Sequence, residues 1–250
     1  MKERKKVALI TGASQGLGAC MAKRIAELGY LVIVNYAHSP ERAGQVVEQI
    51  HSAGNRAVAM KCDISDEAAV KALFAELEEK FGGVDVLVNN ARVDPLSRRP
   101  EETDGMWWDR VMAVGLRGAY LCSNEFTRYA DRHRNGRIIN VSSCRAHRPN
   151  ELEAIAYSTS KLALHCLTRS YAAALAKYGI TVNTLAPGMI ATENMIKRIG
   201  RRGYETECGN IALHRAGTCD EIADGLIWAV ENGFMTGETI NINGGQTYAP

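Results

Sequence analysis

The 250 residues, 46% hydrophobic and 23% charged, suit one large α/β domain spanning residues 1–250 with a sizeable core. A formal net charge of +2 gives no reason to expect a nucleic-acid or membrane-surface partner. The seven cysteines are scattered without a CxxC pair and the six histidines show no metal spacing; the expectation is no disulfide framework, no metal and a reducing, cytoplasmic compartment.

The charged start leads into an apolar run that ends at Ile10, too short for a signal peptide. No later segment reaches the roughly 18 apolar residues of a membrane span. Short β-branched runs then alternate with longer stretches of helical periodicity. The predicted strands are Lys6–Ile10, Leu31–Asn35, Arg56–Met60, Val84–Val88, Arg137–Val141, Gly179–Leu185 and Glu238–Ile242. Helical spacing is clearest from Leu17 to Leu28, through Met21 and Ile25, and from Asp66 to Phe81, through Val70, Leu73 and Leu77. Strands without alternation, separated by helices, read as a mostly parallel sheet buried on both faces. Right-handed crossovers make that sheet doubly wound.

The first strand runs straight into Thr11–Gly18, and a helix follows. Gly12, Gly16 and Gly18, with Ser14, Gln15 and Leu17 between them, form a turn whose backbone can approach a pyrophosphate at a helix N-terminus. The spacing is G-x-x-x-G-x-G rather than G-x-G-x-x-G. A glycine-rich turn without a ligand is the alternative, but the position at the first strand-to-helix junction favours a dinucleotide. About 20 residues on, an acid would read the ribose of NAD. Asn35 and Tyr36 stand there instead, and no carboxylate comes before Glu41 to repel a 2′-phosphate. NADP is therefore the expected cofactor and NAD the second choice, unless Asn35 simply ends a strand.

Of nine tyrosines, only Tyr157 has a lysine four residues on, at Lys161. On a helix the two share a face, and an ammonium near a phenol favours the phenolate. The pair follows a predicted strand ending in Ser142 and Ser143, on the carboxyl side where such sheets bind ligands. Ser143 could hydrogen-bond a substrate oxygen or merely cap a turn.

Together these residues resemble the short-chain dehydrogenase/reductase family from the first strand to Gly244-Gly245. The motifs in order are Thr11–Gly18, Cys62-Asp63-Ile64, Asn89-Asn90-Ala91, Val141-Ser142-Ser143, Tyr157–Lys161, Val182-Asn183, Pro187-Gly188 and Thr236-Gly237. The resemblance implies a Rossmann-type fold of seven strands and hydride transfer between a nicotinamide and a carbonyl or alcohol. It implies Tyr157 as general acid/base, Lys161 as the group that lowers its pKa and binds the nicotinamide ribose, and Ser143 as the donor to the substrate oxygen. Asp63 would read the adenine, with Ile64 beside it; Asn90 and Ala91 would border the cofactor. Pro187, Gly188, Ile190 and Thr192 would hold its nicotinamide end. A homotetramer built through helices at Asp104–Tyr129 and Ile155–Tyr178 is also implied, and Glu193–Gly209 resembles the variable substrate lid.

Two positions depart from the family. Arg92 replaces the glycine of its Asn-Asn-Ala-Gly motif, and Gly115 stands where a catalytic asparagine is usual. Gly115 suggests a kink or a close approach, with proton transfer slowed or rerouted rather than lost. Arg92, Arg145 and Arg148, with His147, Asn150, Glu151 and Glu153 nearby, form either a solvated surface or a pocket for a small polar or anionic substrate. Two further functions stay open: a 3-oxoacyl carrier-protein reductase, and a regulatory protein that binds the cofactor with little turnover.

Overall fold

The computed structural model describes residues 4–148 and 151–248, apart from the side chains of Glu193, Asn194 and Arg198. Its strands are β1 (Val7–Ile10), β2 (Leu31–Tyr36), β3 (Arg56–Lys61), β4 (Val86–Asn89), β5 (Arg137–Val141), β6 (Thr181–Pro187) and β7 (Thr239–Ile242). Eight α-helices accompany them among the described residues: α1 (Gly16–Glu27), α2 (Pro40–Ser52), α3 (Glu67–Phe81), α4 (Asp104–Met112), α5 (Gly118–Thr127), α6 (Ile155–Leu175), α7 (Glu193–Gly209) and α8 (Cys219–Glu231).

The strands form one sheet in the order β3-β2-β1-β4-β5-β6-β7, and every pairing is parallel. Each strand therefore needs a crossover, and the helices supply two layers. Ala8 and Ile10 of β1 join Met21, Ile25, Val46 and Leu226 in the core cluster on one face. Val7 and Leu9 join Leu73, Leu77, Leu121 and Leu175 in the cluster on the other. Burial on both faces explains why the strand sequences show no polar alternation. The order of connection reverses between β1 and β4, and the carboxyl ends there open a crevice.

The helix expected over Asp104–Tyr129 is interrupted. Residues Ala113–Arg117 form a π-helical turn between α4 and α5, with Gly115 buried at its centre. A Cβ on Gly115 would lie 3.0 Å from Ser160 Oγ of α6, so the absent side chain lets the two segments meet. Both expectations for this glycine, a local irregularity and a close approach, are realised. The predicted strand from Gly179 starts two residues later, because Gly179 takes φ 71° and closes the short 3₁₀ turn Ala176–Tyr178 after α6. The lid segment is helical as α7 but broken at Gly200, where φ is 70° and ψ is 169°. Among the described residues no helix is long and apolar enough to cross a membrane.

Candidate active site

A cavity of about 1080 Å³ follows the carboxyl edge of the sheet. It exceeds the roughly 300–1,000 Å³ usual for small-molecule sites. The glycine turn and Tyr157 both lie in its wall, so the two motifs share one edge.

At the β1 end the turn is shaped by what its glycines meet. A Cβ on Gly12, whose φ is +63°, would lie 2.9 Å from Ala91 Cα. One on Gly18 would lie 2.6 Å from Asn90 Nδ2. Gly16 also has a positive φ, yet nothing stands within 4 Å of its missing Cβ. The outer two glycines thus allow packing against β4, while the middle one leaves open space. The N-terminus of α1 has neither a side-chain cap nor an acidic residue in its first turn. Open space and the positive end of a helix dipole suit a diphosphate.

The polar side chains around this turn hold the protein itself. Thr11 Oγ1 accepts from the backbone N–H groups of Asn90 at 2.9 Å and Ala91 at 3.0 Å. Asn90 Nδ2 donates to the carbonyls of Thr11 at 2.8 Å and Gly12 at 3.2 Å. Asn35 lies in the cavity wall, but its side-chain atoms are engaged by the protein. Asn35 is buried; its Oδ1 accepts from Gly12 N–H at 3.2 Å, and its Nδ2 donates to the carbonyls of Met60 at 3.3 Å and Cys62 at 3.1 Å. It ties β2, β3 and the glycine turn together, and the cavity wall beyond it is Tyr36, Ala37, His38 and Ser39. Asp63 and Ile64 lie in the wall as expected, though Asp63 Oδ1 also accepts from the N–H and hydroxyl of Ser65 at 2.9 and 2.7 Å. Gln15 accepts a hydrogen bond from Arg42, a residue that sequence reading passed over.

At the β5 end, Tyr157 and Lys161 sit on one face of α6, both buried. Lys161 Nζ is 5.8 Å from the Tyr157 ring centroid and donates to the carbonyl of Val141 at 2.6 Å. Burial pushes the Lys161 ammonium down to about 7, and the nearby Arg92 charge pushes the same way. Ser143 takes one of the two roles open to it, the turn cap. It lies in the wall, and it caps the 3₁₀ turn Cys144–His147 by accepting from Arg145 N–H at 3.2 Å. A hydroxyl that accepts through one lone pair keeps its hydrogen for another partner.

Pro187, Gly188, Ile190 and Thr192 complete the wall beyond β6. Gly188 is needed there for space, since a Cβ would lie 2.7 Å from Asn243 Cα. Thr192 caps α7, which adds Met195, Ile199 and Glu207 to the cavity.

All three singled-out arginines contribute to the wall. Arg92 comes nearest to the chemistry, with its guanidinium carbon 5.9 Å from the Tyr157 ring centroid and an ion pair to Asp94 at 3.4 Å. Arg145 pairs with Glu151 at 2.8 Å. Asn150 lies outside the described residues.

Sequence reading missed the support behind the site. Asn89 Nδ2 donates to Ser123 Oγ at 3.0 Å and Asn140 Oδ1 at 2.9 Å; Asn140 in turn donates to Thr168 at 2.8 Å. Ser142 donates to the Lys161 carbonyl at 2.8 Å and meets His165 Nε2 at the same distance. An asparagine inside the apolar run of β5 was the available signal for this network. Gln246 carries no such signal, yet its Oε1 accepts from Met189 N–H at 2.9 Å and from the Cys144 thiol at 3.3 Å.

The family model for short chain dehydrogenases matches residues 6–201. Over 244 residues the chain is 39% identical to the 3-oxoacyl-(acyl-carrier-protein) reductase FabG of Staphylococcus aureus, covering 96% of this chain and 97% of that protein. It is 32% identical over 248 residues to glucose 1-dehydrogenase 2 of Bacillus subtilis, covering 98% and 96%. A short chain dehydrogenase from Burkholderia cenocepacia, solved in complex with NADP, superposes with a TM-score of 0.86 at 34% identity, covering 98% of this chain and 99% of that one.

Proposed function

The chain belongs to the short chain dehydrogenase family, and from that premise we propose that it is an NADP-preferring oxidoreductase acting on a carbonyl or alcohol group of a small anionic substrate. The observation that carries the substrate class is Arg92, a permanent cation 5.9 Å from the Tyr157 ring at a position where the family has glycine. Arginine presents fixed donors that match a carboxylate, phosphate or sulfonate.

The cofactor supplies or takes the hydride; the residues supply position and protons. The turn from Gly12 through Ser14, Gln15, Gly16 and Leu17 to Gly18 holds its diphosphate at the N-terminus of α1. Tyr36, Asp63 and Ile64 flank the adenosine end, where no carboxylate stands between Asn35 and Glu41 to repel a 2′-phosphate. Asn90 and Ala91 shape the floor, and Pro187, Gly188, Ile190 and Thr192 shape the nicotinamide end. Tyr157 gives its phenolic proton to a carbonyl oxygen on reduction, or takes one from an alcohol on oxidation. Ser143 donates a hydrogen bond to the same oxygen. Lys161, when charged, favours the phenolate, and Arg92 adds a second positive charge beside the ring.

The assay follows NADPH and NADH oxidation with 2-oxo acids, sugar acids and their neutral esters or amides. Turnover confined to the acids, with NADPH preferred, is the expected result. Turnover of the neutral analogues at equal kcat/KM would remove the anionic class. Binding of the cofactor without turnover of any carbonyl compound would instead support a regulatory role.

The 39% identity to a 3-oxoacyl-(acyl-carrier-protein) reductase favours a second reading, in which surface arginines dock an acidic carrier. Activity on a 3-oxoacyl thioester above that on every free acid would select it.

Apolar side chains of Met106, Trp108, Tyr120, Ile155 and Leu162 stay exposed on α4, α5 and α6. They support a cytoplasmic homotetramer assembled through those helices. Sedimentation would test the assembly, with a monomer as the contrary outcome.

A further inference from the structure

Outside the cavity, two cysteines distant in sequence meet where α1 packs against α8. The Cys20 and Cys219 thiols stand close enough to shift one another's titration, and both are partly exposed. Cys20 Sγ also donates to Asp220 Oδ1 at 3.4 Å. We propose that Cys20 and Cys219 form a reactive thiol pair that takes a hydroperoxide and closes into a reversible disulfide between α1 and α8. This site is independent of the reaction assigned to the cavity.

The geometry separates the two roles. Cys219 is the first residue of α8, where the capping box of Thr218 and Glu221 fixes the helix start. A helix N-terminus favours a thiolate. Cys20 donates to the Asp220 carboxylate and so keeps its proton. The neighbouring Cys20 thiol lowers the Cys219 thiol to about 7, with the Lys23 charge acting in the same direction. The neighbouring Cys219, with burial and Asp220, pushes Cys20 up.

Cys62 and Cys122 provide an internal contrast. Both are buried; burial pushes Cys62 up to about 11 and raises Cys122 as well. Neither has the thiolate character or the access that oxidation requires. Among the described residues no three His, Cys, Asp or Glu side chains gather as a metal-binding group, so Asp220 is read as a proton acceptor.

The chemistry closes without further reagents. The Cys219 thiolate attacks one oxygen of hydrogen peroxide, the O–O bond breaks, and hydroxide leaves behind a sulfenic acid. The Cys20 sulfur then attacks the sulfenic sulfur while its proton passes by way of Asp220. The S–O bond breaks, the S–S bond forms, and water departs. Two thiols are oxidised and one peroxide is reduced to two waters. An external thiol reverses the step by exchange.

The test uses the full chain with Cys166→Ser, which removes an exposed cysteine from the count. After treatment with limiting hydrogen peroxide, peptide mapping should show a linkage between the Cys20 and Cys219 peptides, with the loss of two hydrogens, reversed by dithiothreitol. Cys20→Ser should stop the reaction at a sulfenic acid on Cys219 that dimedone traps. Cys219→Ser should leave Cys20 unmodified under the same conditions. Intact thiols after peroxide, a linkage between different chains, or dimedone capture at Cys20 rather than Cys219 would each overturn the proposal.

Discussion

The two ends of the cavity are built on opposite plans. Around the glycine turn, the polar atoms of Thr11, Asn35 and Asn90 are engaged with backbone groups of the protein. What faces the cavity there is largely main chain and a helix N-terminus. Around Tyr157, the side chains themselves face the cavity, and Arg92 and Lys161 bring two cations within 6 Å of one phenol ring. Under the proposed function the first end would recognise a constant ligand part by backbone shape, and the second would leave chemistry and selectivity to individual side chains. Substitutions should therefore damage folding at the first end and rate at the second.

Tyr157→Phe gives the largest expected effect. It should lower kcat at least about 10²-fold, the scale of a positioned acid/base, with thermal stability and cofactor affinity nearly unchanged. Activity kept within a few-fold would mean that another group delivers the proton. Next in size is Arg92→Ala. Losing a charge-assisted hydrogen bond costs about 1.5–3 kcal/mol, so kcat/KM for the acid substrate should fall about 10–150-fold. The Asp94 pair is partly exposed and contributes little to stability, so the melting temperature should hold. An equal fall for a neutral analogue would show that Arg92 acts on Tyr157 rather than on the substrate.

The cofactor end needs a paired test. Ala37→Asp lines the cavity and should weaken NADP relative to NAD by about tenfold, or about 1.4 kcal/mol, in a binding titration. Asn35→Asp instead sets a carboxylate against the Met60 and Cys62 carbonyls and should lower stability by about 1–3 kcal/mol in a denaturant melt. If Asn35→Asp reverses the cofactor preference with stability intact, the contrast between the two ends is wrong. The last test is Gly115→Asn. Its Cβ would crowd Ser160, which donates to the Tyr157 carbonyl at 2.7 Å. Overpacking of this kind costs about 1–3 kcal/mol, and Ser160→Gly should recover part of the lost melting temperature.

The same contrast explains how much was legible in the sequence. The glycine turn, the alternation of strands with helices and the Tyr157–Lys161 pair are local patterns, because backbone geometry demands glycine at Gly12 and Gly18 and helical spacing aligns i with i+4. Asn35 could be located from sequence but its task could not, since its partners at Met60 and Cys62 come from the next strand. The π-helical turn was visible only as an unusual glycine; the residue it packs against, Ser160, lies on another helix. Gln246 and Arg42 were invisible for the same reason: their roles are set by segments brought together only in the fold.

The packing of α1 on α8 also bears on the order in which the chain can mature. Arg24 of α1 reaches Asp224 of α8 across a sequence separation of 200 residues, and Met21 and Ile25 share a core cluster with Ile222 and Leu226. At a ribosomal pace of about 5–20 residues per second, α1 emerges roughly 10–40 s before its partner. Closing so long a loop comes late in folding. The helix behind the glycine turn thus waits, with the part of its apolar face that α8 covers still exposed, for a segment translated 200 residues later. Nascent chains halted before residue 219 should accordingly bind chaperones through α1 and fail to retain dinucleotide.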